Sequence, residues 1–142
     1  MIRLILSIFI PVLAAVLLNA FIYLMGWNKE ANKDSMPDVK GLPPGYAIAI
    51  IWIFILGLLG LAFYYVYPSV SAWIIVMAIV YCLAYPFLTF GLRQDNAWLL
   101  NLLSLVIAII VAISVALQDV MVSLSVVPFV IWTLYVNIIT NI

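Results

Sequence analysis

Beyond the first few residues, formal charge is confined to the gaps between long apolar segments, and this pattern limits what the chain can fold into. After Pro43 the sequence carries only three formally charged residues, Arg93, Asp95 and Asp119, and each falls between apolar blocks long enough to cross a bilayer. A charged side chain in the middle of a bilayer costs a few kcal/mol, so such a chain sorts its segments between lipid and water. The sequence therefore predicts a multi-pass integral membrane protein.

The composition excludes a soluble domain and several kinds of chemistry. The 142 residues are 70% hydrophobic and 7% charged, whereas apolar residues make up about half of a soluble domain. A net charge of zero without a basic patch argues against nucleic acid as a partner. The chain has no histidine, and its single cysteine, Cys82, permits no disulfide within the chain. We therefore predict neither catalytic residues nor a metal site.

The apolar blocks predict one domain, residues 1–142, which is an all-α bundle of five transmembrane helices. Each block spans about 30 Å as a helix, and unbroken apolar runs argue against a β-barrel. Tyr67-Pro68-Ser69 is typical of a turn, and Asp95 or Asn96, and later Asp119, are suited to cap the helix that follows. The predicted helices are 2–27, 44–67, 70–92, 97–117 and 120–142, with a long polar loop at 28–43.

The basic residues predict the orientation of this bundle. Lys29, Lys33, Lys40 and Arg93 all lie on the side that carries the long loop and the C-terminus, against Arg3 and the terminal amine on the other side. Cytoplasmic segments of membrane proteins carry an excess of Lys and Arg. We therefore expect the long loop and the C-terminus to face the cytoplasm.

Three motifs, in order along the chain, resemble those of one known family. Leu42-Pro43-Pro44-Gly45-Tyr46, followed by Trp52 and a small-residue patch, resembles the start of its second helix. Phe90-Gly91-Leu92-Arg93-Gln94, with Trp98 shortly after, resembles its turn between helices three and four, and Val127-Pro128-Phe129-Val130-Ile131-Trp132 resembles its fifth-helix motif Leu-Pro-Tyr-x-x-Trp. The chain is thus similar to the translocator protein/tryptophan-rich sensory protein (TspO/MBR, peripheral benzodiazepine receptor-like) family.

Some residues depart from the family pattern. Gly41 stands where the first loop of the family carries a Trp, and Cys82 and Tyr85 replace an Asn and a Trp on helix three. Asn101 replaces an acidic residue that is common on helix four. No Lys or Arg follows Tyr135, so the pattern proposed for sterol contact cannot be written there. We therefore expect weaker binding of the synthetic ligands of the family than in members with the full pattern.

The resemblance implies a membrane receptor or binding protein for planar hydrophobic ligands. Porphyrin or haem is the first candidate, as a ligand and not as a required cofactor, and sterols or synthetic isoquinoline- or benzodiazepine-type compounds are others. A role in transporting or sensing the ligand is also implied. So are a homodimer and a location in the mitochondrial outer membrane or a bacterial membrane.

Spacing by three and four residues places aromatic residues with small or polar residues on one face of each helix. Such faces suit a planar apolar ligand if they converge, and the matched motifs favour the end of the bundle near the long loop. The predicted ligand-binding residues are Tyr46, Ala49, Trp52, Tyr85, Trp98, Asn101, Trp132 and Val136.

Other interpretations of these residues stay open. Aromatic residues near helix ends usually form an interfacial belt, an explanation that competes with binding for Tyr46, Trp52, Trp98 and Trp132. Asn101 more often serves as a hydrogen-bonding residue between helices than as a ligand contact. Further aromatic residues fit the belt better than any site: Trp27, Tyr64, Tyr65, Tyr67 and Trp73.

The function also has alternatives from other classes. The chain is consistent with a small structural scaffold, in which Gly57 and Gly60 permit close packing of helices or subunits. An enzyme that promotes porphyrin breakdown would need a nucleophile, a metal cluster or an acid–base pair, and none is visible in the sequence. A coupled transporter would normally carry an ionisable residue within the membrane, and this chain has none between its loops. Saturable quenching of the tryptophans by porphyrin distinguishes a binder from a scaffold.

Overall fold

The computed structural model describes residues 1–27, 41–88 and 97–140, and these residues form helices joined by turns. No strand occurs among them. In a segment this apolar, the backbone N–H and C=O groups find hydrogen-bond partners only in the backbone. An α-helix pairs these groups within one segment. The helices are α1 (Ile2–Leu24), α2 (Gly45–Val66), α3 (Val70–Pro86), α4 (Ala97–Ala116), α5 (Val120–Ser123) and α6 (Val127–Thr140).

The predicted all-α membrane architecture is confirmed in its main lines. Four segments are long and apolar enough to cross a bilayer: Ile2–Leu24, Gly45–Val66, Trp98–Ala116 and the combined α5–α6 stretch Val120–Thr140. The fifth, α3, is a shorter apolar helix. It continues through a π-type turn at Phe87 and Leu88, and the rest of the predicted helix 70–92 lies outside the described residues.

Two of the predicted helix boundaries have local causes that the structure confirms. The turn Tyr67-Pro68-Ser69 separates α2 from α3 and contains a cis peptide bond before the proline. Asp119 caps α5, where its Oδ1 atom accepts hydrogen bonds from the backbone N–H groups of Met121 (2.8 Å) and Val122 (3.1 Å). The predicted cap at Asp95 or Asn96 lies outside the described residues.

The structure divides the predicted fifth helix into α5 and α6. Between them the backbone N–H groups of Ser125 and Val126 bond three residues back, to Val122 and Ser123, instead of four. Pro128 explains the break, because it has no N–H group and its ring would collide with the carbonyl of the residue four positions earlier. A proline is tolerated in the first turn of a helix, and Pro128 is the second residue of α6.

Helix α1 packs antiparallel along α2, which is the most extensive helix contact in the described residues. Gly57 and Gly60 lie on the α2 face that meets α1. A Cβ atom at Gly60 would overlap the carbonyl oxygen of Ser7, so the two backbones touch at this point. That carbonyl lacks its usual helical partner, because the residue four positions later is Pro11. The glycines therefore serve close packing within one chain.

The core lies between α2, α3, α4 and the α5–α6 segment. Its most enclosed side chains include Ile55 and Leu59 of α2, Ile75 of α3, Val111 of α4 and Phe129 of α6. Helix α1 is peripheral, and large apolar side chains such as Phe9 remain about 60% exposed on its outer side. An apolar outer surface matches lipid as its surroundings.

The helices define two ends of the bundle. We call the end with Met25, Gly41, Tyr85, Trp98 and Thr140 the loop end. The opposite end, which holds the turn at residues 67–69 and the turn at residues 117–119, is called the turn end. The long polar loop at 28–43 is predicted for the loop end, and its residues 28–40 lie outside the described residues.

Candidate ligand-binding site

Aromatic rings from three helices meet in the half of the bundle nearer the loop end. The indole of Trp52 lies about two turns into α2 and is half-buried. Its ring centroid is 6.4 Å from that of Tyr85 on α3 and 6.2 Å from that of Phe129 on α6. These are the separations of tilted and edge-on aromatic pairs, which stabilise a core beyond simple area burial. Trp52 therefore joins three helices through its ring.

A chain of hydrogen bonds links the same helices beside this aromatic cluster. The Tyr85 hydroxyl donates to Oδ1 of Asn101, and Nδ2 of Asn101 donates to Oγ1 of Thr140 at 3.5 Å. From α6, Nδ2 of Asn137 donates to the Asn101 carbonyl oxygen at 2.8 Å. An amide in hydrocarbon has no water to bond, so it seeks partners on neighbouring helices. Asn101 on α4 is thus hydrogen-bonded to both α3 and α6. This is the role of a hydrogen-bonding residue between helices, which is the alternative to a ligand contact.

A second hydrogen-bonded contact lies one turn deeper along α3. The Tyr81 hydroxyl donates to the Leu100 carbonyl oxygen at 2.7 Å, and Oγ of Ser104 donates to the Tyr81 hydroxyl oxygen at 3.3 Å. The Tyr81 ring stands edge-on to that of Tyr85, with centroids 6.5 Å apart. The two tyrosines thus turn one face of α3 toward α4, and their hydroxyl groups are used in holding the helices together.

Trp132, Val136 and Ala49 complete the inward-facing part of the predicted set. Trp132 is buried in α6, and its ring tilts against that of Tyr135 at 5.7 Å. Val136 is half-buried and packs on the core, and Ala49 is half-buried one turn before Trp52. With Trp52, Tyr85 and Asn101, six of the eight predicted residues are therefore buried or half-buried.

Tyr46 and Trp98 are placed differently. Tyr46 is 73% exposed in the first turn of α2, and Trp98 is 53% exposed in the first turn of α4. No ring contact joins either residue to the Trp52 cluster within the described part of the chain. Both sit where an interfacial aromatic belt is expected, so the belt interpretation fits them as it stands. The predicted site as a whole stays a prediction.

The structure also identifies contacts that the sequence reasoning did not include. Gly41 has a positive φ of 104°, which L side chains rarely adopt, and its carbonyl oxygen accepts a hydrogen bond from the Tyr135 hydroxyl. The backbone conformation explains why glycine suits this position, where the family carries Trp. Phe129 and Asn137 were also missing from the predicted site. Asn137 lies four residues after Thr133 in an apolar helix, a pattern that indicates a polar stripe facing other helices.

Comparison with known proteins identifies the family. No curated protein and no solved structure matches the chain. A family model described as the TspO/MBR family matches residues 7–141, which is nearly the whole sequence. The chain therefore belongs to the TspO/MBR family.

Proposed function

We propose that this protein binds planar hydrophobic ligands of the porphyrin or haem type within the membrane, between α2, α3, α4 and α6 near the loop end. The observation that carries the proposal is the meeting of Trp52, Tyr85 and Phe129 from three different helices. Family membership supports a ligand-binding or transport-associated role in general terms. Sterols and synthetic isoquinoline- or benzodiazepine-type compounds belong to the same shape class and are further candidates.

The chemistry of this region suits a flat apolar molecule. Aromatic rings pair with one another in stacked or edge-on arrangements. A planar ligand can therefore take the place of one ring in the packing around Trp52. The Tyr85 hydroxyl and the Asn101 amide lie beside the rings and bond to each other, so a polar ligand substituent would bind there by exchanging with this hydrogen bond. In this proposal porphyrin or haem is a ligand and not a required cofactor.

A fluorescence titration tests this function. Protoporphyrin IX is added to the purified protein in detergent, and we expect saturable quenching of the five tryptophans at a stoichiometric ratio of ligand to site. An unrelated membrane protein with a comparable tryptophan content serves as the control for partition of the porphyrin into micelles. Quenching that rises without saturation, or equally in both proteins, would contradict the proposal.

A structural scaffold is the second candidate, and one observation favours it. The side-chain amide of Asn101 uses both its oxygen and its nitrogen in bonds to other helices. A residue engaged in this way supports the bundle without any ligand. The same titration distinguishes the candidates, because a scaffold predicts no saturable quenching.

We also propose a homodimer, for which Asn19 provides support. Other Asn, Ser and Thr side chains within the described helices hydrogen-bond to backbone or to each other. Asn19 is exposed on the outer side of α1, and no hydrogen bond joins its side chain to another described residue. An amide that faces hydrocarbon needs a partner, and a second copy of α1 supplies the same amide by two-fold symmetry.

Oxidative cross-linking tests this assembly. In a Cys82→Ala background, Tyr23→Cys, one turn after Asn19 on the same face of α1 and at a 66% exposed position, is expected to form a disulfide-linked dimer in membranes. Met77→Cys, at a 70% exposed position on α3, serves as the matched control and should cross-link far less. Cross-linking at Met77 alone, or at neither position, would contradict an α1 interface.

The orientation proposed for the bundle places the loop end in the cytoplasm of the cell, or on the cytosolic side of a mitochondrial outer membrane. In the Cys82→Ala background, Ser35→Cys should react with a membrane-impermeant maleimide only when the cytoplasmic side is accessible. Ser35 lies outside the described residues, and its labelling reports only on which side of the membrane the long loop lies. Labelling of intact bacterial cells from outside would reverse the orientation.

A further inference from the structure

A groove lies at the turn end, away from the Trp52 cluster, between α2 and the α5 region. It is a shallow depression, open to the surroundings, with a volume of about 340 Å³. Beside the groove, α5 is only four residues long, and the N–H groups of the following residues bond to carbonyl oxygens three residues back before α6 begins. The lining residues are Leu61, Tyr65, Asp119, Met121, Val122 and Ser125.

The groove combines an apolar wall with one fixed negative charge. Leu61, Met121 and Val122 supply the apolar wall. Hydrogen bonds from two backbone N–H groups at the start of α5 hold the Asp119 carboxylate in place. It is the one acidic residue in the described ranges 1–27, 41–88 and 97–140, and none of their basic groups forms an ion pair with it. The carboxylate is therefore available to a cation from outside the protein.

An aromatic ring adds to the attraction for a cation. Tyr65 lines the groove and is 60% exposed. Ammonium groups bind favourably to the face of an aromatic ring, and a neighbouring carboxylate strengthens this attraction. An anionic ligand would meet repulsion from Asp119 instead. The charge of the groove thus selects a positively charged head attached to an apolar body.

The position of the groove in the bundle indicates where such a molecule comes from. The turn end lies where the membrane-spanning helices finish, at the depth of lipid headgroups. We propose that the groove binds a zwitterionic phospholipid, with the ammonium of its headgroup against Asp119 and Tyr65 and an acyl chain along Leu61, Met121 and Val122. This site is separate from the ligand site proposed near the loop end.

Native mass spectrometry with two phospholipids tests the proposal. Purified protein is titrated with dioleoylphosphatidylcholine and, separately, with dioleoylphosphatidylglycerol, which has the same acyl chains and an anionic headgroup. We expect the first molecule of phosphatidylcholine to bind roughly fivefold more tightly than the first molecule of phosphatidylglycerol. This is the gain in affinity that an ammonium–aromatic contact supplies. Equal affinity for the two lipids would overturn the proposal.

The Asp119→Asn variant separates lipid binding from the capping role of this residue. Asn is as good a helix cap as Asp, so the fold should keep its thermal stability while the groove loses its charge. We expect this variant to lose the preference for phosphatidylcholine. Tyr65→Leu should lose part of it, and Tyr67→Leu, a 56% exposed tyrosine at the same end outside the groove, should retain it. A preserved preference in Asp119→Asn would overturn the proposal.

A competition experiment identifies the source of the ammonium group. Free choline chloride carries the same cation without acyl chains, so at the concentration of the lipid it should leave phosphatidylcholine bound. Displacement by free choline would overturn the assignment of a lipid, because the apolar wall would then contribute nothing to binding.

Discussion

The Gly60→Ala variant is expected to lose about 3 kcal/mol of folding free energy and to unfold at a much lower temperature than the unmodified chain. An added Cβ atom would overlap the Ser7 carbonyl oxygen, and would lie 2.8 Å from its carbonyl carbon and 3.0 Å from the Ile8 Cα atom. All these atoms belong to the backbone of α1, so no side chain can rotate to make room. The two helices must move apart and lose their packing.

Gly57→Ala is the matched control for this variant. A Cβ atom there would lie 3.6 Å from Cγ2 of Val12 and 3.8 Å from Cγ2 of Ile8, which is ordinary contact with side chains. Alanine also favours the helix over glycine by up to about 1 kcal/mol, so this variant should be neutral or slightly stabilised. The buried thiol of Cys82 offers the measurement, since a thiol-reactive fluorophore reports unfolding as temperature rises. Equal losses in both variants would show that α1 does not pack on α2 through Gly60.

The Trp52→Ala variant should bind protoporphyrin IX about tenfold more weakly than the unmodified protein. Trp52 contacts both Tyr85 and Phe129, so its removal takes away the ring that joins the aromatic faces of three helices. The expected loss of about 1.4 kcal/mol lies within the range that one aromatic stacking partner contributes. Affinity is measured by quenching of the four remaining tryptophans, with thermal unfolding recorded on the same samples.

Two further variants control for loss of packing and for loss of tryptophan signal. Trp52→Phe keeps an aromatic ring and should recover most of the affinity. Trp73→Ala removes a 61% exposed indole in the first turn of α3, at the turn end, and should change the affinity little. If Trp73→Ala weakens binding as much as Trp52→Ala while both proteins remain folded, the site lies elsewhere in the molecule.

The membrane-spanning segments could be predicted from the sequence because each one is a local property of the chain. Apolar length and the position of charges define Gly45–Val66 closely, within one residue of the prediction at each end. Pro68 marks the turn before α3, and Asp119 marks the start of α5, through backbone effects that act over a few residues. The same kind of local rule applies to Pro128, which divides the predicted fifth helix although the segment is long and apolar enough for a single helix.

The candidate site was predictable only in part. Periodicity and the family resemblance selected Trp52, Tyr85 and Trp132, which the fold turns inward or leaves half-buried. The same signals cannot separate a ring that faces a neighbouring helix from one in the interfacial belt, and Tyr46 and Trp98 are exposed. The difference depends on how each helix is rotated about its axis, which is set by packing against its neighbours.

The sequence by itself determined that the chain crosses a membrane several times, where most of its spans begin and end, and which family it resembles. Only the tertiary structure decided that Gly60 meets the backbone of α1 and that the Asn101 amide joins Tyr85 to Thr140. These contacts connect residues far apart in the chain, and in lipid they depend on close packing and on pairing of polar groups. Such pairings follow from the arrangement of all the helices together, whereas hydrophobic length is a property of each segment alone.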